Sequence, residues 1–288
     1  MAKIKVFTDS AADIPKHLLD ELDISVIPLK VHIDGVTYID GVTLDKEDFY
    51  DKLKASKQLP STSQPSPLDF AEAFRKAAEE GAEEIISINL SSAMSGTYQS
   101  AVLAISMLED IDVKVTVIDS KAATYVYGMI VVAVARAAKA GKSMEECVQI
   151  AERYIREQKV FFMVDTLEYL QKGGRIAKAS ALVGTLLNIT PILSLNDEGE
   201  VYGLDKVRGK NKAFNRVFEL MSKRFPLGSS VSIGILHGNN IEAANKWKEK
   251  VLSMYDVKEC VTTPLGPIIG THAGPGTVAC VLVPVDDE

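Results

Sequence analysis

Short apolar runs alternate along the first half of the chain with longer stretches whose apolar positions recur at helical spacing. "KIKVFTDSA", "EEIISINL" and "VKVTVIDS" are rich in β-branched residues and nearly continuous in their apolar character, the pattern of strands buried on both faces. Between them, "DIPKHLLDEL" reads as a helix with Asp13 as cap and Pro15 in its first turn. "TLDKEDFYDKLKAS" places Leu44, Phe49 and Leu53 on an apolar stripe, and "PLDFAEAFRKAAEEG" opens on proline and stops at Gly81. "TYQSAVLAISMLED" carries Tyr98, Ala101, Val102 and Ile105 at helical spacing, and two further helices follow within 122–157. "ISVIPLKVHID" is extended, with Asp34-Gly35 and Asp40-Gly41 as tight turns around "VTYI". Strands alternating with helices predict an α/β unit: a mainly parallel sheet flanked by helices.

The pattern changes near residue 160. "KVFFMV" reads as a strand, "TLEYLQKGG" and "AKASALVGTLLN" as helices, and "TPILSLNDEGEVYGLDKVR" as a hairpin around Asn196–Gly199. Two more helices and three strands follow, with "GPIIGTHAGPG" read as a glycine-framed loop. Hairpins mixed with helices predict a second, α+β domain with a largely antiparallel sheet, so the expected domains are 1–158 and 159–288.

Composition narrows the function. The chain of 288 residues is 47% hydrophobic and has a net charge of −7, which argues against wholesale nucleic-acid binding. Cys147, Cys260 and Cys280 are far apart and lack metal-site spacing, which fits a reducing interior with neither disulfides nor zinc. "MAKIKVFTDS" reads as a strand rather than a leader. The apolar run 122–135 is too short to span a bilayer. A cytoplasmic globular protein that does not span the membrane is expected.

In parallel sheets ligands sit beyond the carboxyl ends of the strands, which directs attention to 8–10, 89–96 and 119–120. Asp9 and Asp119 there read as catalytic carboxylates or, more plainly, as caps and turn formers. "INLSSAMSGTYQSA" carries the clearest signal: a strand leads to a hydroxyl-rich loop, and a helix begins near Gly96 or Thr97. Its first N–H groups and the hydroxyl and amide of Ser95 make an anion seat, or Ser95 is an ordinary cap. The loop lacks a P-loop or dinucleotide pattern and any lysine or arginine, so a singly charged carboxylate fits better than a phosphate. In "QLPSTSQPSP", Pro60, Pro65 and Pro67 stiffen the segment and aim Thr62 and Ser63. His272 sits among the glycines of 266–276, where backbone approach by a ligand is easy, whereas His17, His32 and His237 read as structural or surface residues.

In order along the chain, "FTDSAADIP", "YIDGVTL", "STSQPSP", "INLSSAMSGTYQSA", "IDS", "LEYLQKGGRI" and "GTHAGPG" resemble the DegV family of bacterial fatty-acid-binding proteins, which includes the FakB-like subunits of bacterial fatty acid kinase. The resemblance implies a two-domain protein gripping one long-chain fatty acid, such as palmitate, stearate or oleate, at or near the domain interface, with no cofactor. By motif position it implies that Thr62 and Ser95, with Ser63 and Gly96 beside them, hold the carboxylate and that His272 completes that polar end. It also implies that Arg175 of "KGGRI" docks an ATP-using kinase subunit, to which the acid is presented for acyl-phosphate formation. The protein would then be a carrier rather than an enzyme. Burying about 15 methylenes at about 0.8 kcal/mol each yields on the order of 12 kcal/mol before ordering costs, so the tail supplies most of the affinity. "VFFMV", "ALVGTLLNITPIL" and "PIIG" are the apolar segments suited to line it. The enzymatic alternative is a serine esterase or thioesterase using Ser95 and His272.

Overall fold

The computed structural model describes residues 3–184 and 189–285. The chain forms two compact units, Met1–Arg156 with Gly266–Ile268, and Glu157–Leu265 with Ile269–Glu288.

The first unit contains β1 (Ile4–Asp9), α1 (Lys16–Glu21), β2 (Ser25–Ile27), β3 (Lys30–Ile33), β4 (Val36–Ile39) and α2 (Lys46–Ala55). It continues through β5 (Ser61–Ser63), α3 (Pro67–Glu79), β6 (Glu84–Asn89), α4 (Thr97–Ile105), β7 (Lys114–Asp119) and α5 (Tyr125–Lys139), and α6 (Met144–Glu157) runs to its edge. Strands β2-β1-β6-β7 form an all-parallel sheet in that order. Phe7, Phe70, Phe74 and Ile85 share one apolar cluster, with the rings of Phe7 and Phe74 edge to face at 5.0 Å. The apolar run at 122–135 is the buried helix α5, whose Tyr127, Ile130, Val131 and Val134 are inaccessible to solvent.

Two local readings change. Asp13 does not cap α1, whose N-terminus follows Pro15 without a side-chain cap. It is instead a buried carboxylate with a left-handed backbone, ion-paired to Lys46 at 3.1 Å. Thr124 Oγ1 and the Gly266 N–H also donate to it, at 2.7 and 2.8 Å. The Ser/Pro segment is more than a stiff loop. Residues Ser61–Ser63 form a strand on β3, in the antiparallel three-stranded sheet β4-β3-β5. A capping box on α3 follows directly: Ser66 Oγ accepts the Asp69 N–H, and Asp69 Oδ2 accepts the Ser66 N–H. Ladder, prolines and cap together fix this segment.

The second unit contains β8 (Lys159–Met163), α7 (Glu168–Lys172), a 3-10 turn (Ala177–Leu182), β9 (Ile189–Leu195), β10 (Val201–Arg208) and α8 (Lys210–Arg224). It continues with β11 (Ser230–His237), α9 (Ile241–Leu252), β12 (Asp256–Pro264), α10 (Pro267–Ala273) and β13 (Val278–Pro284). The sheet order is β10-β9-β8-β13-β11-β12, antiparallel except for β11–β12. Phe161, Ile233, Ile235, Phe218, Met221 and Trp247 form its main apolar core with α8 and α9.

The helix expected over "AKASALVGTLLN" is a 3-10 turn at Ala177–Leu182, and residues 185–188, which include part of the proposed lining segment, lie outside the described residues. "GPIIGTHAGPG" is not a continuous loop. Pro267 opens a helix, the position where a missing N–H costs nothing, and Gly274 closes it at φ +78°. A linear domain boundary does not anticipate that Gly266–Ile268 groups with the first unit. Among the described residues, no helix is long and apolar enough to cross a membrane.

Candidate functional site

At the carboxyl edge of the parallel sheet, three strand ends converge. Asp9, fully buried, accepts hydrogen bonds from Tyr127 Oη at 2.7 Å, Leu90 N at 2.9 Å, Ala11 N at 3.1 Å and Asn89 Nδ2 at 3.3 Å. Burial raises its pKa in spite of these donors. Asp119 accepts from Ser92 N and Oγ and from the Lys121 N–H. Both aspartates therefore tie strand ends to loops, as caps and turn formers do. Asp40 lines a cavity of about 290 Å³ with Asp9, Asp13 and Lys46. Its carboxyl is pushed up to about 7, chiefly by burial.

β6 delivers the chain to the turn before α4. Helix α4 starts at Thr97, with Gly96, which has no side chain to offer, at its cap position, and its first internal bond runs from Ser100 N to Gly96 O at 2.9 Å. Ser95 Oγ accepts the Thr97 N–H at 3.3 Å and lies 2.9 Å from Thr97 Oγ1. Ser95 is thus a local cap. Its amide donates to Ser91 O at 3.1 Å and is therefore engaged within the turn.

The two hydroxyl-rich segments meet within this unit. The Gln64 side chain lies against Gly96: a Cβ built on that glycine would stand 2.5 Å from Nε2. Gln64 Nε2 also donates to Ser100 Oγ at 3.2 Å. β5 and the start of α4 are therefore neighbours. Thr62 and Ser63, both half-buried, do not point the same way, because successive strand residues face opposite sides. Thr62 pairs with buried Val31. Ser63 Oγ lies 3.0 Å from His32 Nε2, whose Nδ1 lies 2.9 Å from Thr37 Oγ1. The expectation that proline stiffening aims both hydroxyls at one seat gives way to one hydroxyl on each face. Sequence reading missed Gln64, whereas its reading of His32 as a structural or surface residue agrees with the bonds to Ser63 and Thr37. The only trace of Gln64 was its place inside "STSQP", and His32 looked isolated because its partners lie on neighbouring strands.

In the second unit, His272 sits in the last turn of α10 and packs on Gly173, the residue after α7. A Cβ at Gly173 would stand 2.3 Å from His272 Nδ1. Arg175 Nη1 donates to Gly173 O at 2.6 Å, so Arg175 and His272 adjoin around one glycine. Burial, and then the Arg175 charge, pull the His272 pKa down to about 4, leaving a neutral imidazole at pH 7. The next two glycines of the motif serve contacts too: Cβ atoms at Gly274 and Gly276 would collide with the Tyr169 ring and the Asp165 carboxylate.

The DegV family, described as "Uncharacterised protein, DegV family", matches residues 3–285, and the chain belongs to it. A DegV domain-containing protein of Listeria innocua, lin2658, is 37% identical over 276 residues, 96% of each chain. Among solved structures, a fatty-acid-binding DegV family protein from Thermus thermophilus superposes with a TM-score of 0.92 at 34% identity, covering 98% of this chain and 100% of its own. A stearic acid-binding protein from Eubacterium ventriosum gives a TM-score of 0.89 at 28% identity, covering 99% of this chain and 98% of its own.

Proposed function

We propose that this protein binds a long-chain fatty acid, with the carboxylate received by Thr62, Ser95 and the start of α4 at Gly96. The observation that carries this is the contact between Gln64 and Gly96, which makes neighbours of two hydroxyl-bearing segments at the positive end of a helix. A single carboxylate needs several converging donors to offset its desolvation, and hydroxyls with helical N–H groups provide them. The solved relatives from T. thermophilus and E. ventriosum bind fatty acids, which supports the same ligand class here. Ser63, held by His32, shapes β5 rather than donating directly. His272, neutral at pH 7, suits an uncharged hydrogen bond to a ligand within the second unit.

The protein is a carrier in this proposal, and the bound acid is presented to a separate ATP-dependent kinase subunit docking at Arg175. Ser95→Ala separates carrier from hydrolase. A carrier loses affinity for palmitate and has no turnover to lose, whereas an esterase or thioesterase keeps its binding and loses hydrolysis. Hydrolysis of palmitoyl esters by the wild-type protein, abolished in Ser95→Ala, would overturn the proposal.

A further inference from the structure

We infer that Gln64 is a positioning residue for the carboxylate seat, acting as a removable wedge between β5 and α4. The inference rests on the fatty-acid proposal and concerns a residue outside the assigned donors. Gln64 directly follows β5, and its side chain reaches across to α4. Its amide occupies the volume that a side chain at Gly96 would fill, with Nε2 2.5 Å and Cδ 2.7 Å from the position of such a Cβ. Nε2 is hydrogen-bonded at 3.2 Å to Ser100 Oγ, one helical turn below Gly96 on the same face of α4. Ser100 is buried, which gives the wedge a fixed anchor. One side chain thus touches the helix at two successive turns and sets the spacing between Thr62 and the first N–H groups of α4. The absence of a side chain at Gly96 follows from the wedge and not from backbone strain, because its φ of −74° suits any residue.

Gly96→Ala should therefore fold normally and expel Gln64, since the obstructing atoms belong to the end of a flexible side chain. The test measures binding of palmitate and of hexadecanol, which has the same chain length without a carboxylate, to wild type, Gln64→Ala, Gly96→Ala and the double variant. Each single variant should weaken palmitate binding about fivefold, the scale of one hydrogen bond, while hexadecanol binding and thermal midpoint stay level. The double variant should bind palmitate no more weakly than the weaker single variant. Unchanged palmitate affinity in Gln64→Ala, equal losses for both probes, or additive losses in the double variant would overturn the role of Gln64 while leaving fatty acid binding intact. A wild-type protein that takes up neither probe would overturn the fatty-acid proposal itself.

Discussion

Gly173 and His272 are fitted to each other: the imidazole Nδ1 stands 2.3 Å from where a side chain on the glycine would begin. Gly173 has φ −74°, so alanine is sterically, not conformationally, excluded. Gly173→Ala should displace His272 and destabilise the second unit by about 1–3 kcal/mol, the usual penalty for overpacking. In a His272→Ala background the same substitution should cost less but still something, because the ring is gone while the Tyr169 carbonyl oxygen remains 2.8 Å from the Cβ position. Denaturant midpoints of the four proteins check this.

Two buried groups should give opposing pH dependences. His272 titrates near 4 when folded, below its ordinary 6.5, so the unfolded chain binds the extra proton between these values. The stability it supplies is full above about pH 6.5 and falls as pH drops toward 4. Asp40 keeps its proton to about 7 when folded, while the unfolded carboxyl loses it near 3.8. Its contribution therefore declines as pH rises from about 4 to 7. His272→Asn should flatten the first dependence and Asp40→Asn the second, moving the stability–pH curve in opposite directions relative to wild type. Thermal midpoints from pH 4 to 8 read both.

Three of the groups that hold the buried carboxylate of Asp13 differ in weight. Only Lys46 carries charge, and it is 31% exposed while Asp13 is 1% exposed. Lys46→Met removes the cation paired with this buried carboxylate and should cost about 3 kcal/mol, because breaking a buried ion pair is expensive. Thr124→Val removes one neutral donor and should cost nearer 1 kcal/mol. Equal effects on urea unfolding would show that the ion pair contributes little.

The α/β and α+β classes were legible because binary patterning alone separates buried parallel strands from hairpins, as in "EEIISINL" against "TPILSLNDEGEVYG". The start of α4 was legible from the hydroxyl-rich turn at its head. Helix α10 was misread because its glycines and His272 mask the proline–glycine punctuation that brackets it. Asp13 looked like a cap because its real partners, Lys46, Thr124 and Gly266, are distant in sequence. The divergence of Thr62 and Ser63 required knowing that their segment is a strand. Gln64 was invisible for the same reason as the Asp13 partners: its contact is tertiary.

Lipid extraction from freshly purified protein, read by mass spectrometry, bears most directly on whether this chain is a fatty acid carrier. Near-stoichiometric long-chain fatty acid, depleted when Thr62 and Ser95 are replaced together by valine and alanine, is the expected result. Protein that emerges empty and then fails to take up palmitate, stearate or oleate would contradict it.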